Sequence, residues 1–92
     1  MAKRGKLEIM RDTLKIIQEN RNSIRPTPLL RKVGLSSSGF KEYYIALLEK
    51  GLIKEIEDKK MDKQIILTEK GFRFLEKYKT IIEFIEEFEL WF

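Results

Sequence analysis

The sequence predicts an α+β domain that is mostly helical, and three observations carry the prediction. Apolar residues recur at spacings of three and four over several long stretches, the period of a helix buried on one side. Residues 52–67 break that pattern with two short β-prone runs around a polar turn, which reads as a hairpin. The chain has 92 residues, 42% of them hydrophobic, with no cysteine and no histidine. That length and composition give one small domain with a thin core, and leave no ligands for a disulfide or a structural zinc site.

Each element has a local cause. Residues 6–21 place Leu7, Met10, Leu14 and Ile17 on one helical face, widened by Ile9 and Ile16. Ser23-Ile24-Arg25 stands before Pro26, which favours extended backbone in the preceding residue, so a short edge strand is expected there. Thr27 as N-cap and Pro28 at the first helical position open a short helix that ends at Gly34. Ser36 caps the next helix, 37–50, with Phe40, Tyr43, Tyr44, Leu47 and Leu48 as its apolar face and Gly51 as its stop. Strands follow at 52–57 and 63–67. Thr68 then caps a last helix running from 69 to near the C-terminus; some 24 residues of it would span roughly 35 Å. Two helices joined by a tight turn at Gly34, then a hairpin, predict a winged helix-turn-helix with a long C-terminal dimerisation helix. Residues 1–68 form the winged helix-turn-helix, and 69–92 a helix packed on the same domain.

The net charge of +4 conceals an asymmetry: residues 1–80 carry +8 and residues 81–92 carry −4. A basic body points to a polyanion partner, double-stranded DNA for this fold. The amino end of the second helix of such a pair enters the major groove, where free N–H groups and the positive dipole end favour phosphate. The run Ser36, Ser37, Ser38 fits that position, because small hydroxyls permit close backbone approach and donate to phosphate or base edges. With the apolar face turned inward, Ser37, Ser38, Lys41, Glu42 and Ile45 point out as candidate readers. Plain capping is the alternative explanation of the serines, and Glu42 serves equally as an acceptor for a cytosine amino group or as a partner for a lysine. Lys59, Lys60 and Lys63 put cations on the hairpin, over phosphate if it is a wing, or in water if it is a solvated turn. Lys3, Arg4 and Lys6 form a basic arm, and Arg25, Arg31 and Lys32 are further candidates for backbone contacts.

On the last helix, Phe74, Tyr78, Ile81, Ile85, Phe88 and Phe92 fall at spacings of 4, 3, 4, 3, 4, a heptad seam flanked by Leu75, Ile82, Phe84 and Trp91. Its start packs onto its own domain, while the distal half overshoots so small a body and needs a partner. Parallel pairing would oppose Glu83, Glu86, Glu87 and Glu89 to their copies. Antiparallel pairing about Ile82 sets Lys77 near Glu87, which predicts a symmetric antiparallel homodimer, with purely intramolecular packing as the alternative.

Several classes are disfavoured. No segment is long and apolar enough to span a bilayer, and the basic N-terminus lacks the apolar block of a signal peptide, so a cytoplasmic, nucleoid-associated protein is expected. No carboxylates form an evident pair in a pocket and the commonest general base is missing, so no enzyme is expected. No cofactor, metal or small-molecule ligand is expected either. A winged-helix protein–protein interaction module in a transcription-related complex is the alternative to DNA binding.

The stretch G-L-S-S-S-G-F-K-E-Y-Y-I-A-L-L-E-K-G-L-I, the later I-L-T-E-K-G-F-R-F-L-E and the opening K-R-G-K-L-E-I-M resemble the archaeal ArnR-like winged helix-turn-helix group. The resemblance covers nearly the whole chain. It implies DNA binding, as a transcriptional regulator or a small chromatin-associated protein, and for the latter a dimer built on an antiparallel C-terminal coiled coil. Two features depart from the group. The last helix is short, ending in L-W-F, and Gly39 sits in the first turn of the recognition helix, where Gly costs about 1 kcal/mol relative to Ala.

Overall fold

The computed structural model describes residues 5–90. Four helices and one hairpin follow in the order α1 (Lys6–Glu19), α2 (Pro26–Val33), α3 (Ser37–Glu49), β1 (Ile53–Glu57), β2 (Lys63–Leu67) and α4 (Glu69–Glu87). Lys3, Arg4, Trp91 and Phe92 lie outside the described residues.

α1 buries Ile9, Thr13, Leu14 and Ile17. The Thr13 hydroxyl is sealed in with them and donates to the Ile9 carbonyl at 2.8 Å, so its burial leaves no polar atom unpaired. Leu7, expected on this face, is 62% exposed instead. The helix also stops at Glu19 rather than residue 21, because Arg21 and Asn22 turn left-handed, at φ 60° and 55°. That turn aims the Asn22 side-chain oxygen at the backbone N–H of Leu67, 2.8 Å away, tying the exit of α1 to the hairpin.

The expected edge strand reduces to one antiparallel bridge, Ile24 to Ile65, with N···O distances of 3.1 and 2.8 Å. α2 starts at Pro26, not Pro28, with Arg25 as N-cap and no side-chain cap. The reason is that first-turn N–H groups have no intrahelical acceptor, so both prolines fit there, and Leu29 N–H makes the first bond to the Arg25 carbonyl at 3.1 Å. Gly34 ends the helix at φ 79°. Ser36 then caps α3, its hydroxyl accepting from Gly39 N–H at 3.2 Å. A Cβ on Gly39 would sit 3.2 Å from that hydroxyl oxygen, so the glycine gives the cap its room.

β1 and β2 pair antiparallel with Ile53 opposite Leu67 and Glu57 opposite Lys63. Ile53, Ile65 and Leu67 face the core, where they join Leu14, Ile17, Leu29 and Leu47. Full burial of side chains of this kind contributes roughly 1.5–3 kcal/mol each. Thr68 caps α4 by accepting from Gly71 N–H at 3.1 Å.

α4 is shorter than its apolar pattern suggested. Its 19 residues span about 28 Å. It closes at Phe88, where Glu89 turns left-handed at φ 52° and the Leu90 and Glu89 N–H groups bond back to the Ile85 and Glu86 carbonyls. Those two bonds satisfy carbonyls the helix would otherwise leave open, which is why it ends there. Phe72, Phe74 and Leu75 pack against the core, while Ile81, Phe84 and Phe88 stand exposed.

Candidate nucleic-acid interface

The turn between α2 and α3 leaves the amino end of α3 open. Ser36, Ser37, Ser38, Lys41, Glu42 and Ile45 are all exposed, while Phe40 and Leu47 anchor the opposite face and Tyr43, Tyr44 and Leu48 are half-buried. The first turn of α3 carries no acidic side chain, so its positive dipole end is not neutralised locally.

The hairpin stands beside this end. A recess of about 180 Å³ between them is lined by Pro26, Ser37, Lys41 and Tyr44 on one side and Glu55 and Lys63 on the other. The Tyr44 hydroxyl donates to the Glu55 carboxylate, whose oxygen also lies 3.4 Å from Lys63 Nζ. A second brace joins Arg25 to Asp62 at 2.8 Å, and Ser23 Oγ donates to Gln64 at 3.0 Å. The hairpin is therefore fixed to the helix pair by side chains on both flanks. Its tip is held by local hydrogen bonds as well. Asp58 Oδ1 accepts from the N–H groups of Lys60 and Asp62 at 2.9 and 3.0 Å, and Met61 sits at the apex, 75% exposed with φ 63°.

These contacts shift titrations. The hydrogen bond from Tyr44 holds the Glu55 carboxyl below its ordinary value, with help from Lys63 against the opposing effect of burial. Burial, then the bond to Glu55, pushes the Tyr44 hydroxyl well above the ordinary tyrosine range. A lowered acid stabilises the fold above its unfolded-state pKa and loses that contribution as pH falls. A raised tyrosine stabilises below its unfolded-state pKa and loses it as pH rises. Stability from the pair thus forms a plateau between the carboxylate and tyrosine ranges. Tyr44→Phe is expected to lower that plateau by roughly 1 kcal/mol or less, Glu55 being exposed, and to flatten both its limbs. Urea denaturation across a pH series checks it.

The structure gathers some candidate residues and separates others. Arg25, Arg31 and Lys63 border one shallow recess with Thr27 and Pro28, next to the α3 end. Lys59 and Lys60 are exposed at the hairpin tip, and among the described residues no ion pair within 4.0 Å engages them, Lys41 or Arg31. Lys32 lies elsewhere, beside Asp12, Lys15 and Glu19 of α1. Lys6 lies in a groove against Tyr78, Ile81 and Ile85 of α4. Sequence reasoning missed the Tyr44–Glu55–Lys63 link. The signal for it was a tyrosine on the nominal core face of α3 with an acid two residues into the following strand.

A turn-joined helix pair with an open second helix and a lysine-tipped hairpin alongside is the architecture of winged-helix DNA-binding proteins. The chain belongs to the winged helix-turn-helix family, whose model matches residues 3–86. A search of curated proteins finds no match. Among solved structures, the chain is similar to MepR, a transcription regulator of the Staphylococcus aureus multidrug efflux pump MepA, with a TM-score of 0.76 and 18% identity over 89% of this chain. It spans 62% of the length of MepR. It is similar also to Sso10a-2, a DNA-binding protein from Sulfolobus solfataricus, with a TM-score of 0.72 and 22% identity over 94% of this chain and 86% of that one. SSV1 F-93 matches with a TM-score of 0.66 and 27% identity over 88% of each chain. The resemblance of the sequence to archaeal winged helix-turn-helix proteins is in line with these matches. No helix among the described residues is long and apolar enough to cross a membrane.

Proposed function

We propose that the protein is a homodimeric DNA-binding protein, a transcriptional regulator or an architectural binder, acting on double-stranded DNA without catalysis. The observation that carries this reading is the open, unneutralised amino end of α3 beside a braced hairpin that exposes Lys59 and Lys60 at its tip. Ser37, Ser38, Lys41, Glu42 and Ile45 enter the major groove. The hydroxyls and Lys41 donate to phosphate or base acceptors, Glu42 accepts from cytosine, and Ile45 meets a thymine methyl group. Ser36 holds the helix end in place through its cap. Lys59 and Lys60 neutralise phosphates at the wing. Arg31 lies close enough to the same face to join them, and Arg25 and Lys63 do so by exchanging Asp62 and Glu55 for phosphate. Lys3 and Arg4 extend the basic arm; Lys6 and Lys32 are the weakest DNA contacts of the set, given their places on α1 and beside it.

The proposed domain division is 1–68 for DNA binding and 69–92 for pairing. Phe74 and Tyr78 begin the seam against the chain's own body, and Ile81, Ile82, Ile85 and Phe88 continue it toward a second copy lying antiparallel, with Trp91 and Phe92 beyond. Such a protein works in the cytoplasm, on the nucleoid.

Two substitutions test the groove-facing surface. Lys41→Ala is expected to reduce the log–log salt slope of duplex binding by about 0.9 per head, the signature of one lost phosphate contact. Ser38→Leu, which sets a bulky side chain where the backbone must approach, is expected to cost ~1–3 kcal/mol of affinity, the size of a lost base contact. Fluorescence anisotropy on a labelled duplex reads both. Unchanged affinity and slope in both variants would mean that this face of α3 does not meet DNA.

A further inference from the structure

The hairpin ends in a residue that neither the core nor the phosphate contacts explain. Met61, at the apex, is 75% exposed, more than any other large apolar side chain among the described residues. Its backbone is left-handed, at φ 63°, a conformation that is costly for an L side chain and that glycine adopts freely. The turn holds the methionine there all the same. Met61 N–H donates to the Asp58 carbonyl at 3.0 Å, and Asp58 N–H donates to the Asp62 carbonyl at 3.0 Å. Asp58 Oδ1 closes the turn from inside by accepting from the N–H groups of Lys60 and Asp62. An apolar side chain held outward on a closed turn, against its own backbone preference, points to a contact outside the chain.

Its neighbours say what kind. Lys59 and Lys60 are exposed on the same turn, and among the described residues no ion pair within 4.0 Å engages them. Two nearby acids are engaged elsewhere, Asp58 within the turn and Asp62 on Arg25 at 2.8 Å. Glu57 lies further back, opposite Lys63 in the ladder. The tip is thus an apolar point beside cations, which suits a groove walled by phosphates. Position selects the groove. The recess that joins the hairpin to α3 reaches Glu55, and the ladder runs on to Glu57 before the turn begins. The apex therefore stands past that recess by two strand residues, roughly 7 Å, plus the turn itself. With α3 in the major groove, a point carried across the neighbouring phosphate strand meets the minor groove. That groove is only about 6 Å wide, and methionine is unbranched and flexible enough to enter it.

We propose that Met61 is a wedge: it enters the minor groove beside the α3 contact, inserts between two base pairs at a flexible step, and bends the duplex toward the major groove. Apolar side chains on minor-groove binders act in this way. The proposal rests on the DNA-binding reading above and adds to it a preference for deformable sequence. Pyrimidine–purine steps such as TA unstack readily, and stiff A-tracts do not. Beyond Lys41, α3 carries none of the Arg, Asn or Gln side chains that read base edges with paired hydrogen bonds, so the wedge supplies selectivity that the helix lacks.

The test uses the full chain and two short duplexes, one rich in TA steps and one made of A-tracts, each with 2-aminopurine replacing some adenines. Wild type is expected to bind the TA-rich duplex roughly tenfold more tightly and to raise its 2-aminopurine fluorescence, the sign of an unstacked base. Met61→Gly suits the left-handed turn, and Met61→Gln keeps the length of the side chain while making its end polar. Both variants, their fold verified by circular dichroism, are expected to lose the fluorescence rise and the preference. Their salt slopes are expected to match wild type, because every cation remains. A wild type that binds with its full slope and leaves the fluorescence unchanged, or a Met61→Gly variant that keeps the rise, overturns the wedge and leaves DNA binding standing. A wild type that binds neither duplex at low salt overturns the DNA-binding reading itself.

Discussion

Gly71→Ala is expected to destabilise the protein by about 3 kcal/mol, at the upper end of what overpacking a core costs. Gly71 is buried in the first turn of α4, and a Cβ there would lie 2.3 Å from the Leu52 carbonyl oxygen and 3.4 Å from Leu67 Cδ2. The first neighbour is backbone and has no rotamer to move to. That carbonyl accepts from Thr68 N–H at 3.1 Å, and Gly71 N–H donates to the Thr68 hydroxyl at 3.1 Å. Backing α4 away from Leu52 to admit a methyl group would loosen both bonds and the contact of Phe72, Phe74 and Leu75 with the core. For a domain of this size the loss corresponds to roughly 12–24 °C in melting temperature. Gly5→Ala is the control: a Cβ there meets nothing within 4 Å, and the expected change is that of an alanine at the N-cap of α1, roughly 0.5–1 kcal/mol, well below the Gly71 effect. Thermal and urea denaturation of the two variants beside wild type measure the difference. Equal stability of Gly71→Ala and wild type would mean that α4 does not pack this closely on Leu52 at the entrance to β1.

Ile81→Glu combined with Ile85→Glu is expected to convert the proposed dimer into a folded monomer. Ile81 is 57% exposed and Ile85 is half-buried along the groove, so neither belongs to the core that holds the chain together. In an antiparallel pair the two substitutions put four new carboxylates into a seam already bordered by Glu83, Glu86 and Glu87 on each copy. Burying unpaired carboxylates there costs several kcal/mol, which moves the dimer dissociation constant by orders of magnitude. Sedimentation velocity reads the mass and circular dichroism the fold. A persisting dimer would reject pairing through the distal half of α4. The monomer is also expected to bind duplex with about half the salt slope of the dimer, because each head contributes its own phosphate contacts.

Most of the fold was legible because its signals are local. Gly34 and Ser36 mark the turn by residue type alone, and both behave as read, one left-handed and the other capping. Two β-prone runs on either side of a polar turn set the hairpin, and Ile53, Ile65 and Leu67 supply its core face. The boundaries that shifted were those that tertiary contacts decide. Pro26 and Pro28 both satisfy the rules for a first turn, so sequence could not choose between them. The early end of α4 depends on a left-handed Glu89, a conformation that glutamate does not advertise. Leu7 matched the apolar period of α1 yet lies one turn before the body it would pack on, and periodicity cannot report where a neighbour stops. The α3 face was legible for a similar reason: once the core side is fixed by Phe40 and Leu47, the opposite side follows from helical geometry. The bonds that brace the wing join residues 11 to 41 positions apart and belong to the packed molecule alone.

The central claim is that the α3 end and the wing form one polyanion-binding surface. Binding of a nonspecific duplex across a salt series tests it most directly. With four to six cations of each head on phosphate, the logarithm of the binding constant is expected to fall linearly against the logarithm of salt with a slope of roughly −4 to −5 per head. Double substitution Lys59→Ala with Lys60→Ala should bring that slope up by nearly two. A slope near zero, or no binding at low salt, would contradict the account and leave this surface to a protein partner.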